Sequence, residues 1–271
     1  MITTLALHPA AAKLIIGQAV AALPEVQQAF KQGKIIISAG TTNVMVAKAL
    51  LHVQVKNLEP YAAGIITQRA ACVTEPGQRV GPLCLDCGTP VATDWLDFLN
   101  SMRPGDIFIK GANAFDSTGC IGVLLGDDTG GTVGKAIGTI KARKIQWIAP
   151  VGLEKAVPSC IEAERWMSAI PESSLRLGHK CGYIAVSNTT ILTEIDALRI
   201  LTGAEAVQIA AGGVGGMEGA SVLAVKCRDE AHCQEVLQLV KTANQTRPLN
   251  VKRQSCAGCK NPCFMRKPGV K

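Results

Sequence analysis

The stretch Asp106–Gly134, D-I-F-I-K-G-A-N-A-F-D-S-T-G-C-I-G-V-L-L-G-D-D-T-G-G-T-V-G, decides the fold that the chain predicts. Its isoleucine-rich start, Asp106–Lys110, is typical of a buried strand, and Gly111-Ala112-Asn113 follows where that strand should end. A second apolar run, Ile121–Leu125, leads to Gly130-Gly131-Thr132, which should open a helix. Small residues leave the backbone uncovered, and helix N-termini offer free N–H groups. Because ligands bind at this edge of open α/β sheets, the stretch predicts a site for a small anionic molecule.

Two further segments repeat this order of strand, small loop and helix. Lys34–Ser38 (K-I-I-I-S) predicts a short buried strand, the loop Ala39-Gly40-Thr41-Thr42-Asn43 follows, and Val44–Val53 predicts a helix. A third loop, Pro150–Lys155, carries the charged pair Glu154 and Lys155. None of these loops has the spacing of a Walker loop or of a dinucleotide-binding fingerprint, so their chemistry stays open.

The composition favours a soluble α/β protein. The 271 residues are 48% apolar, 18% charged and only 4% aromatic, so the core must be aliphatic, as in strands packed between helices. We therefore predict a Rossmann-like, mostly parallel sheet with helices on both faces. The apolar runs are far below the roughly 20 residues that span a bilayer. We expect no membrane contact and, in the absence of a signal-peptide pattern, a cytoplasmic protein.

The order of elements changes after about residue 175. Residues 176–248 read as strand, helix, strand, strand and helix, which fits a small ferredoxin-like α+β subdomain. We thus predict three parts, listed here with their bounds: an α/β domain (1–175), this subdomain (176–248) and a cysteine-rich tail (249–271).

The strand-end loops resemble those of a large superfamily. It includes ribose-5-phosphate isomerase, glucosamine-6-phosphate deaminase, the coenzyme A transferases and the initiation-factor-2B-like proteins, and the resemblance covers roughly residues 10–170. It is carried by Gly40-Thr41-Thr42, by the strand running into Gly111-Ala112-Asn113, and by Gly130-Gly131-Thr132. It implies the α/β fold and a pocket of phosphate or carboxylate size at the strand ends. The substrate-binding residues expected from these motifs are Gly40, Thr41, Thr42, Asn43, Lys110, Gly111, Ala112, Asn113, Gly130, Gly131 and Thr132.

The catalytic group of that superfamily does not carry over. The isomerase has acidic residues before and after its Gly-Ala, and Lys110 and Asn113 stand at those positions here. Asp116 or Glu154 is then the candidate acid–base group, with Asp127 and Asp128 as further candidates near the first. Lys155 or Lys110 would counter negative charge on a substrate.

The C-terminal cysteines give the most specific chemical signal. Cys256, Cys259 and Cys263 have the spacing C-x-x-C-x-x-x-C, with Gly258 and Pro262 between them, and can bind three corners of one [4Fe–4S] cluster. Zinc is the alternative, since its Cys₄ sites also use C-x-x-C pairs. Either metal needs a further ligand, and the candidates are the pair Cys84 and Cys87 together with Cys72, Cys120 and Cys181. Lys252, Arg253, Lys260 and Arg266 would offset the negative charge of the thiolates.

The positive charge lies in the tail. Of the formal net charge of +7, residues 241–271 contribute eight Lys or Arg and no Asp or Glu, whereas the rest is nearly balanced. A basic tail also suits RNA, but the few aromatics disfavour base stacking and hence a nucleic-acid partner. A homo-oligomer is compatible with the sequence.

Two functions remain open from the sequence. The first is an iron–sulfur enzyme that acts on a small anionic metabolite, a phosphosugar or a carboxylate, by acid–base or Lewis-acid chemistry at the strand-end pocket. The second is a metabolite or redox sensor without turnover that uses the same pocket and the cysteine tail. Both expect the thiol-bearing terminus to fold back over the mouth of the pocket.

Overall fold

The computed structural model describes residues 1–55, 57–64, 66–67, 70–257, 259 and 263–264. Each of the eight helices expected from the sequence is present, with bounds that differ by a few residues. The helices are α1 (Pro9–Ala22), α2 (Pro24–Gln32), α3 (Asn43–Leu51), α4 (Trp95–Ser101), α5 (Gly131–Ala142), α6 (Cys160–Ser168), α7 (Glu194–Thr202) and α8 (Glu230–Ala243). The strands are β1 (Ile2–Leu7), β2 (Lys34–Ile37), β3 (Leu83–Asp86), β4 (Thr89–Pro90), β5 (Ile107–Ile109), β6 (Ala114–Phe115), β7 (Ile121–Leu125), β8 (Gln146–Pro150), β9 (Gly182–Val186), β10 (Thr190–Leu192), β11 (Glu205–Gly212) and β12 (Ala220–Lys226).

A six-stranded sheet in the order β10-β8-β5-β2-β3-β4 forms the centre. Its first four strands are parallel, and β3 and β4 add an antiparallel hairpin at one edge. Both faces are covered, since successive isoleucines of β2 enter different clusters. Ile35 and Ile37 pack with α1, α3 and α7, and Ile36 packs with Phe108 and with residues of α4 and α5. This confirms the predicted α/β class with a mostly parallel sheet, and it explains why β2 is apolar without alternation.

A second, antiparallel sheet has the order β1-β12-β11 and packs on α7 and α8. The strands and helices predicted in residues 176–248 are all present, but the strands belong to different sheets. β9 pairs with β7, β10 joins the central sheet, and β1 from the N-terminus pairs with β12. Strand pairing therefore crosses the boundary predicted between residues 175 and 176, and β1, not β9, stands beside β12.

The apolar run Ile121–Leu125 lies in a third sheet, β6-β7-β9, and is antiparallel to both neighbours. The connection from β5 to β7 contains no helix, and a parallel neighbour would need a crossover of a dozen or more residues. An antiparallel hairpin with β6 is the solution that this short connection allows.

The described part of residues 61–68 forms no strand, in contrast to the sequence prediction for Tyr61–Gln68, of which Ile65 and Gln68 lie outside the described residues. A 3₁₀ turn, Glu59–Tyr61, precedes it, and Gly64 has a φ of 37°. The carbonyls of Ala62 and Ala63 accept hydrogen bonds from the hydroxyl of Thr74, and that of Ala63 also accepts from the N–H of Thr74 (3.2 Å), so a single loop residue satisfies this backbone in place of a strand ladder.

In the part of the chain that the structure covers, no helix is both long and apolar enough to cross a bilayer.

Candidate functional site

Three loops meet at the carboxyl edge of the parallel strands. They follow β2, β5 and β8, and the amide of Asn43, a buried residue, ties the first two together. Its Nδ2 donates to the carbonyl of Ser38 (2.9 Å) and its Oδ1 accepts from the N–H of Gly111 (3.1 Å). A Cβ at position 111 would lie 2.8 Å from the carbonyl oxygen of Pro150 in the third loop. Gly111 is therefore required by the close approach of the loops.

The loops form the floor of a cavity of about 590 Å³. The start of α1 and the loop after α3 contribute further walls, and the segment after α8 covers one side. Of the residues predicted to bind substrate, Gly40 to Asn43 and Lys110 to Asn113 line this cavity. The covering residues are Thr246, Arg247, Pro248, Leu249 and Val251. The C-terminal segment thus covers the cavity with residues before the tail cysteines, whereas Cys256, Cys259 and Cys263, which were expected over the mouth, do not line it.

Four basic side chains and one acidic one belong to the cavity wall: Lys13, Lys110, Lys155, Arg247 and Glu218. Removal from water and, to a smaller extent, the neighbouring charge of Lys155 together lower the pKa of Lys110 to about 8. Desolvation also lowers the pKa of Lys155 and of Lys13. Burial and mutual repulsion destabilise the charged forms of these lysines, so a bound anion would stabilise them.

Hydrogen bonds hold the two loop lysines in place. The Nζ of Lys155 donates to the carbonyl of Ala112 (2.9 Å), and the indole N–H of Trp147 donates to the carbonyl of Lys110 (2.8 Å). Both contacts join the β5 loop to β8 or its loop. These contacts fix the ammonium group of Lys155 and the backbone of Lys110.

Two carboxylates, those of Glu154 and Glu194, lie near this floor without lining the cavity. Glu154 has a buried Oε2 without a hydrogen-bond partner in the structure, and its charge raises the pKa values of Lys13 and Lys155 against the effect of burial. Glu194, at the start of α7, accepts from the N–H of Leu153 (2.8 Å) and from the hydroxyl of Ser221 (3.3 Å). Burial raises its pKa to about 7.

Asp116 has a structural position. It is not among the residues that line the cavity, and its carboxylate accepts from Thr118, from the N–H of Cys120 (3.3 Å) and from the N–H of Cys160 (2.8 Å) at the start of α6. Burial raises its pKa, but these hydrogen bonds outweigh burial and bring the pKa down to about 2. Such a carboxylate is a poor base at neutral pH.

Asp116 also belongs to a buried group that can hold a metal ion. Its carboxylate oxygen and the sulfurs of Cys120 and Cys160 all lie within 4.8 Å of one another. Burial raises the pKa of both thiols, that of Cys160 to about 11. The sequence analysis predicted Asp116 as an acid–base group and Cys120 as a metal ligand, in two separate sites. Their proximity to Cys160 could not be predicted, because it depends on the packing of α6.

Other predicted residues lie elsewhere. Gly130 has a φ of 76° and Gly131 begins α5 after β7, and neither they nor Thr132 line the cavity. Cys84 lies in the core on β3, and Cys87 is exposed beyond Asp86, which pairs with the first residue of β2. That hairpin end is at the amino edge of the parallel strands, opposite the cavity.

The tail cysteines lie against two loops. We call the described residues of 71–75, 176–181 and 253–264 the cysteine region. Gln254 donates its N–H to the carbonyl of Val73 (2.8 Å), and Phe264 donates to the carbonyl of Arg176 (2.8 Å). The sulfur of Cys263 accepts from the N–H of Gly178 (3.1 Å). Gly258, Pro262, Lys260 and Arg266 lie outside the described residues.

Sequence reasoning missed Lys13, Arg247, Glu194 and Glu218. Lys13 could have been identified as a candidate site residue, because it is the single charged residue in the apolar helix PAAAKLIIGQAVAA. Glu194 carried none, since an acidic residue in the first turn of a helix is usual.

Comparisons of the chain with protein-family models, with curated proteins and with solved structures find no match.

Proposed function

We propose that the protein is an enzyme that binds a small anionic metabolite, a phosphosugar or a carboxylate, in the strand-end cavity and acts on it by acid–base chemistry. The observation that carries the proposal is the set of basic groups around one cavity, of which the half-buried Lys110 and Lys155 lie on adjacent strand-end loops. The N-termini of α1 and α3 lie at the same wall and add positive potential. The resemblance to the sugar-phosphate isomerase superfamily is consistent with this ligand class.

The lysines have two roles in this proposal. Lys155 and Lys13 neutralise the anionic group of the substrate. Lys110, with a pKa of about 8, exists in both protonation states near neutral pH and can give a proton to the substrate or take one from it. Glu154 does not line the cavity, and its role in this proposal is to supply a negative charge that keeps Lys13 and Lys155 protonated.

The cysteine tail is proposed to hold a [4Fe–4S] cluster. The spacing of Cys256, Cys259 and Cys263 and the hydrogen bond from Gly178 to the sulfur of Cys263 support thiolates there, because N–H donors stabilise cluster-bound sulfur. When bound, such a cluster would supply a Lewis-acidic iron or a one-electron carrier. Stoichiometric zinc without iron in anaerobically purified protein would exclude this cofactor and leave zinc.

The test of the cavity uses inorganic phosphate as the probe and calorimetry as the measurement. The wild type should bind phosphate, and Lys110→Met should weaken binding at least tenfold, or about 1.4 kcal/mol. Lys135→Met, which removes an exposed lysine of α5 away from the cavity, is the matched control and should bind as the wild type does. Equal affinity in both variants would contradict the proposal.

A non-catalytic sensor is the second candidate. It is favoured by the cavity wall at residues 246–251, which is continuous in sequence with the tail cysteines, and by the position of Asp116 away from the cavity. A sensor predicts that oxidation of the thiols with diamide changes the affinity for phosphate. An enzyme without this coupling predicts the same affinity before and after oxidation.

A further inference from the structure

The cysteine region brings three distant segments together around Cys72. Ala71 donates to the carbonyl of Leu177 (3.4 Å) and accepts from the N–H of His179 (2.5 Å). These two bonds pair the backbone before Cys72 with the backbone around Gly178. The loop at 71 is therefore fixed to the loop at 178.

The same short loop is fixed to the tail on its other side. Thr74 forms an isolated bridge with Arg253, and Gln254 donates to the carbonyl of Val73 (2.8 Å). Cys72 lies between these two sets of contacts. On one side, Val73 and Thr74 contact Arg253 and Gln254, which precede Cys256 in the chain. On the other side, Ala71 pairs with Gly178, whose N–H donates to the sulfur of Cys263.

We propose that Cys72 is the fourth ligand of a metal site whose other three ligands are Cys256, Cys259 and Cys263. The proposal rests on the metal-binding tail proposed above, and it assigns the position that the spacing of the tail leaves open. The site is made of two chain segments about 180 residues apart, so metal binding joins them.

Backbone contacts distinguish Cys72 from Cys181. The residue after Cys72, Val73, accepts from the N–H of Gln254, and Thr74 forms a bridge with Arg253, so the Cys72 loop is bonded to the segment that leads to Cys256. The thiol of Cys181 instead donates to the carbonyl of His179 (3.4 Å) in its own loop.

The spacing of the tail thiols disfavours a single metal ion. Four thiolates on one tetrahedral zinc, with bonds of about 2.3 Å, lie about 3.8 Å apart. Within the part of the chain that the structure describes, the group of three potential ligand atoms inside 4.8 Å is Asp116, Cys120 and Cys160, and it does not include tail thiols. In a [4Fe–4S] cluster each thiolate binds a different iron, so the ligands stand further apart.

The site would also fix the outer wall of the cavity. Thr74 donates its hydroxyl to the carbonyl of Ala62 (2.5 Å), and Ala62 and Ala63 line the cavity. Val251, two residues before Arg253, lines it as well. Cys72 is therefore two residues from Thr74, which holds the wall segment at Ala62. Through the metal, Cys72 would also be joined to the tail that continues from the wall residue Val251.

The experiment compares iron bound by full-length variants after anaerobic reconstitution with ferrous iron and sulfide. The wild type should hold about four irons per chain with the spectrum of a [4Fe–4S] cluster. Cys72→Ser should hold a three-iron cluster, seen by electron paramagnetic resonance of the oxidised protein, or lose iron altogether. Cys181→Ser and Cys87→Ser are the controls and should match the wild type.

Several outcomes would overturn the inference, and they differ from failure of the proposed cofactor. A wild-type cluster that persists unchanged in Cys72→Ser excludes Cys72 as a ligand, and loss of iron in Cys181→Ser assigns the fourth position to Cys181. A wild type that binds no iron rejects the proposed cluster itself. Thermal unfolding of the metal-free proteins controls for misfolding: equal melting temperatures show that any iron loss in Cys72→Ser is a ligand effect.

Discussion

The floor of the cavity and the cysteine region are built on different principles. The floor lies at the ends of β2, β5 and β8, where two aliphatic clusters cover both sheet faces and Asn43 joins neighbouring loops. The cysteine region has neither helix nor strand among its described residues and is held by isolated bridges and single hydrogen bonds. A core positions the first, whereas the second needs a further source of order, which the metal site that we propose would supply.

The largest expected effect comes from removing the metal. A chelator should raise tryptic cleavage after Arg176 and Arg253 on the order of a thousandfold, or about 4 kcal/mol, because local opening no longer breaks metal bonds. Cleavage after Lys110, in the floor, should not change. Gel electrophoresis with mass spectrometry locates the cuts. Equal acceleration at all three sites would show that the metal stabilises the whole fold, and no acceleration would show that the cysteine region orders itself.

The second expected effect is a pH dependence that arises in the floor. The pKa of Glu194 is raised from 4.5 to about 7, so the folded state binds a proton more tightly than the unfolded state between these values. Its contribution is complete below pH 4.5 and is lost as the pH rises to 7, which should lower the free energy of unfolding by about 3 kcal/mol. Urea unfolding at several pH values measures this.

Glu194→Gln should remove that slope while keeping an acceptor for the N–H of Leu153. Glu205→Gln, at an exposed residue of β11 that pairs with Lys226, is the control and should retain the wild-type slope. If the slope survives in Glu194→Gln, other groups cause it.

The difference between the regions also explains what the sequence could predict. The eight helices follow from apolar spacing and capping residues, as for α4, where Asp94 accepts from the N–H of Leu96 (2.8 Å). The strand-end floor follows from small residues after apolar runs. These signals are local, and the parallel sheet satisfies them without conflict.

Strand partners could not be predicted in the same way. The pairing of β9 with β7 and of β1 with β12 depends on contacts far apart in sequence. The ligand role that we propose for Cys72 could not be predicted either, because the long loop around it has no periodic pattern that would place it. The sequence supplied candidate thiols, and only the bridges of residues 71 and 74 to distant segments distinguish among them.

A pair of glycine substitutions, one in the cavity floor and one in the cysteine region, tests the difference between the two regions. The expected change in the free energy of unfolding is about 2 kcal/mol. Gly111→Ala places a methyl group against the carbonyl of Pro150 and should lower the free energy of unfolding by about that amount, with or without metal. Gly178 has a φ of 131°, and a Cβ there would overlap the carbonyl of Ala71. Gly178→Ala should therefore weaken metal binding and leave the metal-free stability nearly unchanged.

Gly138→Ala, in α5 with no atom within 4 Å of its new methyl group, is the control and should stabilise the protein by up to about 1 kcal/mol. Denaturant unfolding and chelator competition measure both quantities. The comparison fails if Gly178→Ala destabilises the metal-free protein as much as Gly111→Ala does.

The smallest effect concerns Asp116, which separates a structural carboxylate from a catalytic one. Asp116→Asn should cost about 1.5 kcal/mol at neutral pH, because an amide cannot accept all the hydrogen bonds that the carboxylate receives. The wild-type contribution is present above pH 3.8 and is lost as the pH falls towards 2, opposite in sign to that of Glu194.

Phosphate affinity should stay unchanged, since the cavity lies elsewhere. Asp127→Asn, in a similar but exposed turn, should cost less than half as much. Lost phosphate binding at wild-type stability would instead place Asp116 in the functional site, and the floor would then extend to the start of α6.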